Sequence, residues 1–124
     1  MDDNVGAGRP TVSLELQAPD LAIVTLAGEH DLNSRAELGD TLERASAQRF
    51  VLVDLSPCAF IDSTVLALIV STCQRVWERD GRIELVIPRN SAAVQRILSI
   101  AGLTTFLTIR GTRDEAIASL RGDE

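Results

Sequence analysis

At 124 residues, with 45% hydrophobic and 24% charged residues, the chain has the composition of a single globular domain with one core. A net charge of −6 argues against general nucleic-acid binding, which needs basic surface to displace counterions from phosphates. No apolar stretch approaches the roughly 20 residues that span a bilayer, so membrane insertion is not expected.

The opening "MDDNVGAGRP" is acidic and polar, unlike a signal or transit peptide. It reads as a loose arm over 1–10, ahead of a domain over 11–120 and a tail over 121–124, and the expected address is cytoplasmic. "TVSLELQ" (11–17) alternates apolar and polar residues with period two, the pattern of a half-buried strand. After the turn "APD", "LAIVTLAG" (21–28) is more continuously apolar, so the pair reads as a hairpin with its second strand nearer the sheet centre.

"EHDLNSRAELGDTLERASA" then starts a helix. Asn33 or Ser34 suits the N-cap, Glu37 completes a capping box with Ser34, and Leu38, Leu42 and Ala45 recur at helical spacing. "FVLVDL" (50–55) is apolar on both faces, as a central parallel strand is. A helix over about 63–79, a strand "RIELVI" (82–87) and a helix from Ser91 to about Ala101 follow, then a strand "FLTIR" (106–110) and a short helix "RDEAIASL" (113–120). Gly81 and Gly102 stand where helix C-terminal glycines belong. The order β-β-α-β-α-β-α-β-α predicts an α/β fold: a mixed sheet with an N-terminal antiparallel hairpin, right-handed βαβ units and helices covering at least one face.

The two cysteines, Cys58 and Cys73, have no CxxC spacing and no accompanying histidine cluster, so neither a metal site nor a cofactor is expected. Cys58 reads as lying in the loop after the central strand and Cys73 on the core face of the next helix, about 15 Å further along its axis, beyond disulfide reach. They are expected to be buried, redox-silent thiols.

The chemistry concentrates in "CAFIDSTVLALIV" (58–70), where an apolar run breaks for Asp-Ser-Thr and resumes. At about 100° per residue, Val65, Leu66, Ile69, Cys73, Val76 and Trp77 share the core face of the helix. Thr64, Leu68, Ser71 and Arg75, with Ala67, lie on another side that is small, partly apolar and barely charged. That second stripe is either the back of a well-buried helix or a docking surface whose upper end is the triplet. Asp62 or Ser63 can cap the helix, and capping alone explains either residue. The same helix start also suits an anion, with free N–H groups and the positive end of the dipole. A phosphate on Ser63 adds a charge of about −2 to one end of the stripe while the fold tolerates it.

"VDLSPCAFIDSTVLALIV", with "LAGEHDL" upstream and "ELVIP" downstream, resembles the STAS-domain anti-sigma-factor antagonists of bacteria over about residues 11–120. The resemblance implies the STAS fold and a partner switch. The unphosphorylated form binds an anti-sigma factor with serine kinase activity and releases the sigma factor. Phosphorylation of Ser63 ends that binding, and a serine phosphatase restores it. Asp62 is then the acidic neighbour of the phosphoserine, and "GEHDL", similar to the family's G-E-x-D-L segment, places Asp31 on the loop beside it. Thr64 is a secondary acceptor. The expected partner surface is Thr64, Ala67, Leu68, Ser71 and Arg75, and the expected state is a monomer or weak dimer. The chain departs from the family at Val65, where glycine is frequent two positions after the phosphoserine; this bears on kinase recognition. It also mildly favours an alternative, a STAS scaffold subunit of a transporter or signalling complex that is never phosphorylated.

An enzyme is not expected. Ser63, His30 and Asp31 or Asp62 make an imaginable triad, but there is no G-x-S-x-G elbow and no P-loop, and a lone histidine in an acidic loop reads as solvated.

Overall fold

The sheet grows outward from two strands that are apolar on both faces. In the computed structural model, which describes residues 10–122, β2 (Leu21–His30) and β3 (Phe50–Asp54) run in parallel, with Leu21 opposite Phe50 and Thr25 opposite Asp54. β1 (Thr11–Gln17) pairs antiparallel with β2, β5 (Arg82–Val86) parallel with β3, and the two-residue β6 (Ile109–Arg110) parallel with β5. The order is β1-β2-β3-β5-β6, the mixed sheet with an N-terminal hairpin that the sequence predicts.

Successive side chains of a strand point to opposite faces, and here both faces are covered. Ala22, Val24 and Leu26 of β2 and Val51 and Val53 of β3 enter the larger core. The helices α1 (Arg35–Ala45), α2 (Ser63–Glu78) and α3 (Ala92–Ile100) close it with Leu38 and Leu42, Val65, Ile69 and Val76, and Val94 and Leu98. Leu21, Ile23, Leu52 and Val86 face the other way, against Ala116 and Leu120 of α4 (Arg113–Gly122). That smaller layer also holds two buried carboxylates. Asp54 accepts from Arg113 Nε at 2.9 Å, and Glu84 from Arg110 Nε at 3.0 Å and Ser119 Oγ at 2.6 Å. Most of the expected arm, 1–9, and the last two residues of the expected tail lie outside the described residues, while Arg121 and Gly122 are the end of α4.

The structure departs from the sequence reading at several points. Cys58 is not in a loop: it opens a further strand, β4 (Cys58–Ile61), which runs parallel to the end of β2, with Glu29 opposite Phe60 and His30 opposite Ile61. The turn before it is held by Ser56 N–H on Asp54 Oδ1 and Cys58 N–H on Leu55 O. Gly28, at φ 86°, a backbone setting that L side chains rarely adopt, marks the register shift where β2 takes up this third partner. "FLTIR" pairs over its last two residues only. Phe106 and Leu107 N–H both bond Leu103 O in a turn that drops Leu107 into the larger core.

Trp77 is not a core residue of α2. It is 36% exposed, edge-on to Phe106 at 5.4 Å, and Thr72 takes a buried place, its hydroxyl donating to Leu68 O. At the end of α2 the left-handed position belongs to Asp80, at φ 61°, rather than to Gly81. Gly81 answers a different need: a Cβ there would lie 2.7 Å from Arg49 O and 2.8 Å from Val76 Cγ1. Its bare backbone lets β5 start hard against the α1–β3 connection, where Arg82 N–H bonds Arg49 O.

Candidate functional site

The site forms where β2 and β4 end side by side. Beyond their last pair, Asp62 N–H bonds His30 O at 3.2 Å, so the turn that follows β2 and the start of α2 are stitched together through the backbone. Asp62 itself is extended (φ −99°, ψ −178°), and its Oδ1 accepts from Val65 N–H at 3.0 Å. Of the two possible caps, Asp62 takes the role.

Ser63 is therefore the first residue of α2, exposed, and its hydroxyl makes no hydrogen bond among the described residues. The N–H groups of Ser63 and Thr64 belong to the first turn, which has no carbonyl of its own helix to serve. Thr64 is half-buried. Val65 is fully buried in the larger core, and its N–H is the one that Asp62 caps.

On the other side of the stitch, Asp31 caps the short 3-10 turn Leu32–Ser34, its Oδ1 accepting from Asn33 N–H at 2.9 Å, and its side chain stays exposed. The structure thus brings Asp31 and the Asp62–Ser63 step to adjoining strand ends. The capping box expected of Ser34 and Glu37 does not form. Ser34 is buried, makes no side-chain cap to α1, and donates instead to Asp31 O at 3.0 Å.

His30 corrects the sequence reading most sharply. It is fully buried rather than solvated, its Nε2 3.0 Å from Ala27 O and its Nδ1 3.0 Å from Ser34 Oγ. Both ring nitrogens are engaged away from Ser63, and the imagined triad is not assembled.

The stripe on α2 divides. Leu68, Ser71 and Arg75 line one wall of a groove of about 570 Å³ whose other wall is α1, with Arg35, Ala36, Gly39, Asp40 and Glu43. Thr64 and Ala67 are not among its lining residues; Ala67 is exposed on the helix. Leu68 is half-buried and packs against the larger core, so it does not simply face outward. Leu32, 63% exposed in the turn after Asp31, ends the groove on the α1 side. Sequence reasoning missed the α1 wall. The available signals were an apolar Leu32 in a polar turn and a glycine, Gly39, in mid-helix.

Cys58 and Cys73 are both buried and unpaired. Burial pushes both thiols up, Cys73 to about 12, which leaves little thiolate for redox chemistry near neutrality. No group of three or more His, Cys, Asp or Glu among the described residues is arranged to hold a metal ion, and no helix among them is long and apolar enough to cross a membrane.

The family model described as "Mlab, STAS domain" matches residues 14–110. The chain belongs to the STAS domain family. STAS structures repeat its architecture. An anti-sigma factor antagonist from Mycobacterium paratuberculosis superposes with a TM-score of 0.77 at 21% identity, covering 92% of this chain and 96% of that one. The anti-sigma factor antagonist SpoIIAA in its unphosphorylated form gives 0.71 at 19% identity, over 91% of this chain and 100% of that one. The phosphorylated form of SpoIIAA, described as a Bacillus cell fate determinant, gives 0.66 at 19% identity, over 86% and 96%. At these identities the likeness is one of fold. No curated protein sequence matches the chain.

Proposed function

We propose that this STAS domain is an anti-sigma-factor antagonist switched by phosphorylation of Ser63. The observation that carries the reading is the division of labour at the start of α2: Asp62 caps the helix, which leaves the Ser63 hydroxyl exposed and unengaged. A phosphate there meets first-turn N–H groups and the positive end of the helix dipole, so the folded state accommodates it. The structural likeness to SpoIIAA, known in an unphosphorylated and a phosphorylated form, supports the same reading.

The unmodified form binds an anti-sigma factor with serine kinase activity and frees the sigma factor. The groove between α1 and α2, beginning at the Asp31 turn and lined by Leu68, Ser71 and Arg75, is the docking surface. Thr64 and Ala67 adjoin it and contribute to contact around the phosphoacceptor, and Asp31 and Asp62 flank Ser63. A serine phosphatase resets the switch, and these events take place in the cytoplasm. The chain works as a binding module, without a catalytic site of its own. The test is incubation with the anti-sigma kinase and ATP, followed by intact mass and peptide mapping. One added phosphate on Ser63, lost in Ser63→Ala, is the expected result.

The second reading, a STAS scaffold subunit that is never phosphorylated, draws on Val65, which fills the core at the position where the resemblance implies glycine. Under that reading the same incubation leaves the mass unchanged.

A further inference from the structure

Trp77, the chain's one tryptophan, meets Phe106 edge-on outside the core, with ring centroids 5.4 Å apart and planes at 83°. Both rings stay exposed, Trp77 by 36% and Phe106 by 50%. Two nearly perpendicular rings form a corner rather than a flat apolar patch. With Gln74 and Glu78 they line an open depression of about 510 Å³ at the last turn of α2. Ser63 is the first of the 16 residues of α2 and Trp77 the last but one, which sets them about 21 Å apart along the axis. The corner is therefore separate from the proposed phosphoacceptor.

The electrostatics of the corner favour a cation. Glu78 is exposed and makes no ion pair among the described residues. The two arginines nearest to it in sequence are turned elsewhere: Arg79 donates to Ser46 O and Ala47 O, and Arg75 lines the α1–α2 groove. The end of α2 adds the negative pole of the helix dipole, and the faces of aromatic rings attract positive charge through their quadrupole.

We propose that Trp77, Phe106 and Glu78 form a docking point for an arginine side chain of a partner protein. A planar guanidinium lies flat on one ring, with the second ring closing its flank, and turns its N–H edge to the Glu78 carboxylate. A lysine ammonium is more strongly hydrated and has no planar face to stack. Only four residues line the depression, too few to enclose a free small cation as a ligand pocket does, so the arginine arrives on a larger surface that holds it in place. The net charge of −6 draws such a basic surface in. None of this depends on Ser63 being phosphorylated.

The experiment is a titration of the 15N-labelled full chain with a capped tri-arginine peptide, with no kinase present, read at the single indole N–H. A saturable shift of that signal is expected, and capped tri-lysine should bind about threefold more weakly or worse. Glu78→Gln removes the carboxylate, and Phe106→Leu removes one ring while keeping apolar bulk. Each should weaken tri-arginine binding about threefold or more, the size of one exposed cation–π or ion-pair contact. Asp114→Asn removes an equal charge from α4, on the other face of the sheet, and should leave binding unchanged. No saturable indole shift overturns the proposal, as does tri-lysine binding as tightly as tri-arginine. So does a folded Glu78→Gln or Phe106→Leu chain that binds like wild type, or an Asp114→Asn chain that loses as much as Glu78→Gln.

Discussion

Cys73 sits in the interior of the larger core, and burial moves its thiol from the ordinary 9.0 to about 12. The sign of the consequence follows from proton counting. Above pH 9 the unfolded chain sheds this proton while the folded chain keeps it, so the unfolded state binds fewer protons and stability falls as pH rises. The loss approaches about 1.4 kcal/mol per pH unit from this group between pH 9 and 12, and the group contributes no slope below that window. Denaturant unfolding at pH 8 and pH 10.5 checks it. Cys73→Ala is expected to be less stable than wild type at pH 8 because of its cavity, but to lose less on going to pH 10.5. Equal alkaline losses in the two chains would assign the effect to another group. Cys58, raised in the same direction by burial, adds to the slope that remains in the variant.

At the scale of elements, α4 is held by charge as much as by apolar contact. Only Ala116 and Leu120 are fully buried from this helix, whereas Arg113 joins Asp54, Thr25 and Glu15 across β3, β2 and β1. Asp54 is 4% exposed, and without Arg113 its carboxylate keeps only Ser56 N–H as a partner among the described residues. Removing one member of a buried pair leaves an uncompensated charge, so Arg113→Ala should cost about 2–3 kcal/mol, discounted from the fully buried case because the arginine reaches solvent. A shift in the urea midpoint at constant slope measures it, and no shift would make the ion pair incidental to α4. The α1–α2 groove calls for a different probe. Leu68 packs partly against the core, so a charged residue there disturbs the fold as well as the surface. Ser71 faces the groove without belonging to the core, and Ser71→Arg should leave the urea midpoint within about 0.5 kcal/mol of wild type. If the groove is the docking surface, the same variant loses at least about 2 kcal/mol of partner affinity, the size expected at a hot spot. Unchanged affinity in calorimetry would move the interface off the groove.

For the molecule as a whole, the legible features were those with a long or repeated pattern. β2 and β3 are apolar on both faces because helices cover both sides of the sheet, and that double burial is visible in their continuous runs. The start of α2 was legible because a polar triplet interrupts an apolar run. β4 was not, since its four residues bury only the first and last and show no alternation. The role of Ser34 was hidden for another reason. Its spacing to Glu37 fits a capping box, but a buried imidazole four residues earlier offers the hydroxyl a competing partner that no local pattern reveals. The groove wall on α1 was out of reach because it depends on which helices become neighbours, a matter of tertiary packing.

The central claim is that one hydroxyl at the start of α2 sets the affinity of the whole domain for its partner. A phosphate on Ser63 brings a charge of about −2 to the start of α2, where a partner shaped for a neutral hydroxyl must bury it unpaired. Several kcal/mol at that contact correspond to a loss of about 100-fold or more in affinity, at about 1.4 kcal/mol per decade. The decisive measurement is calorimetric titration of the anti-sigma kinase with the unmodified, Ser63-phosphorylated and Ser63→Ala chains, each first shown to have the same urea midpoint. The account predicts tight binding by the unmodified and Ser63→Ala chains and at least about 100-fold weaker binding by the phosphorylated one. Equal affinity of the phosphorylated and unmodified chains would contradict it.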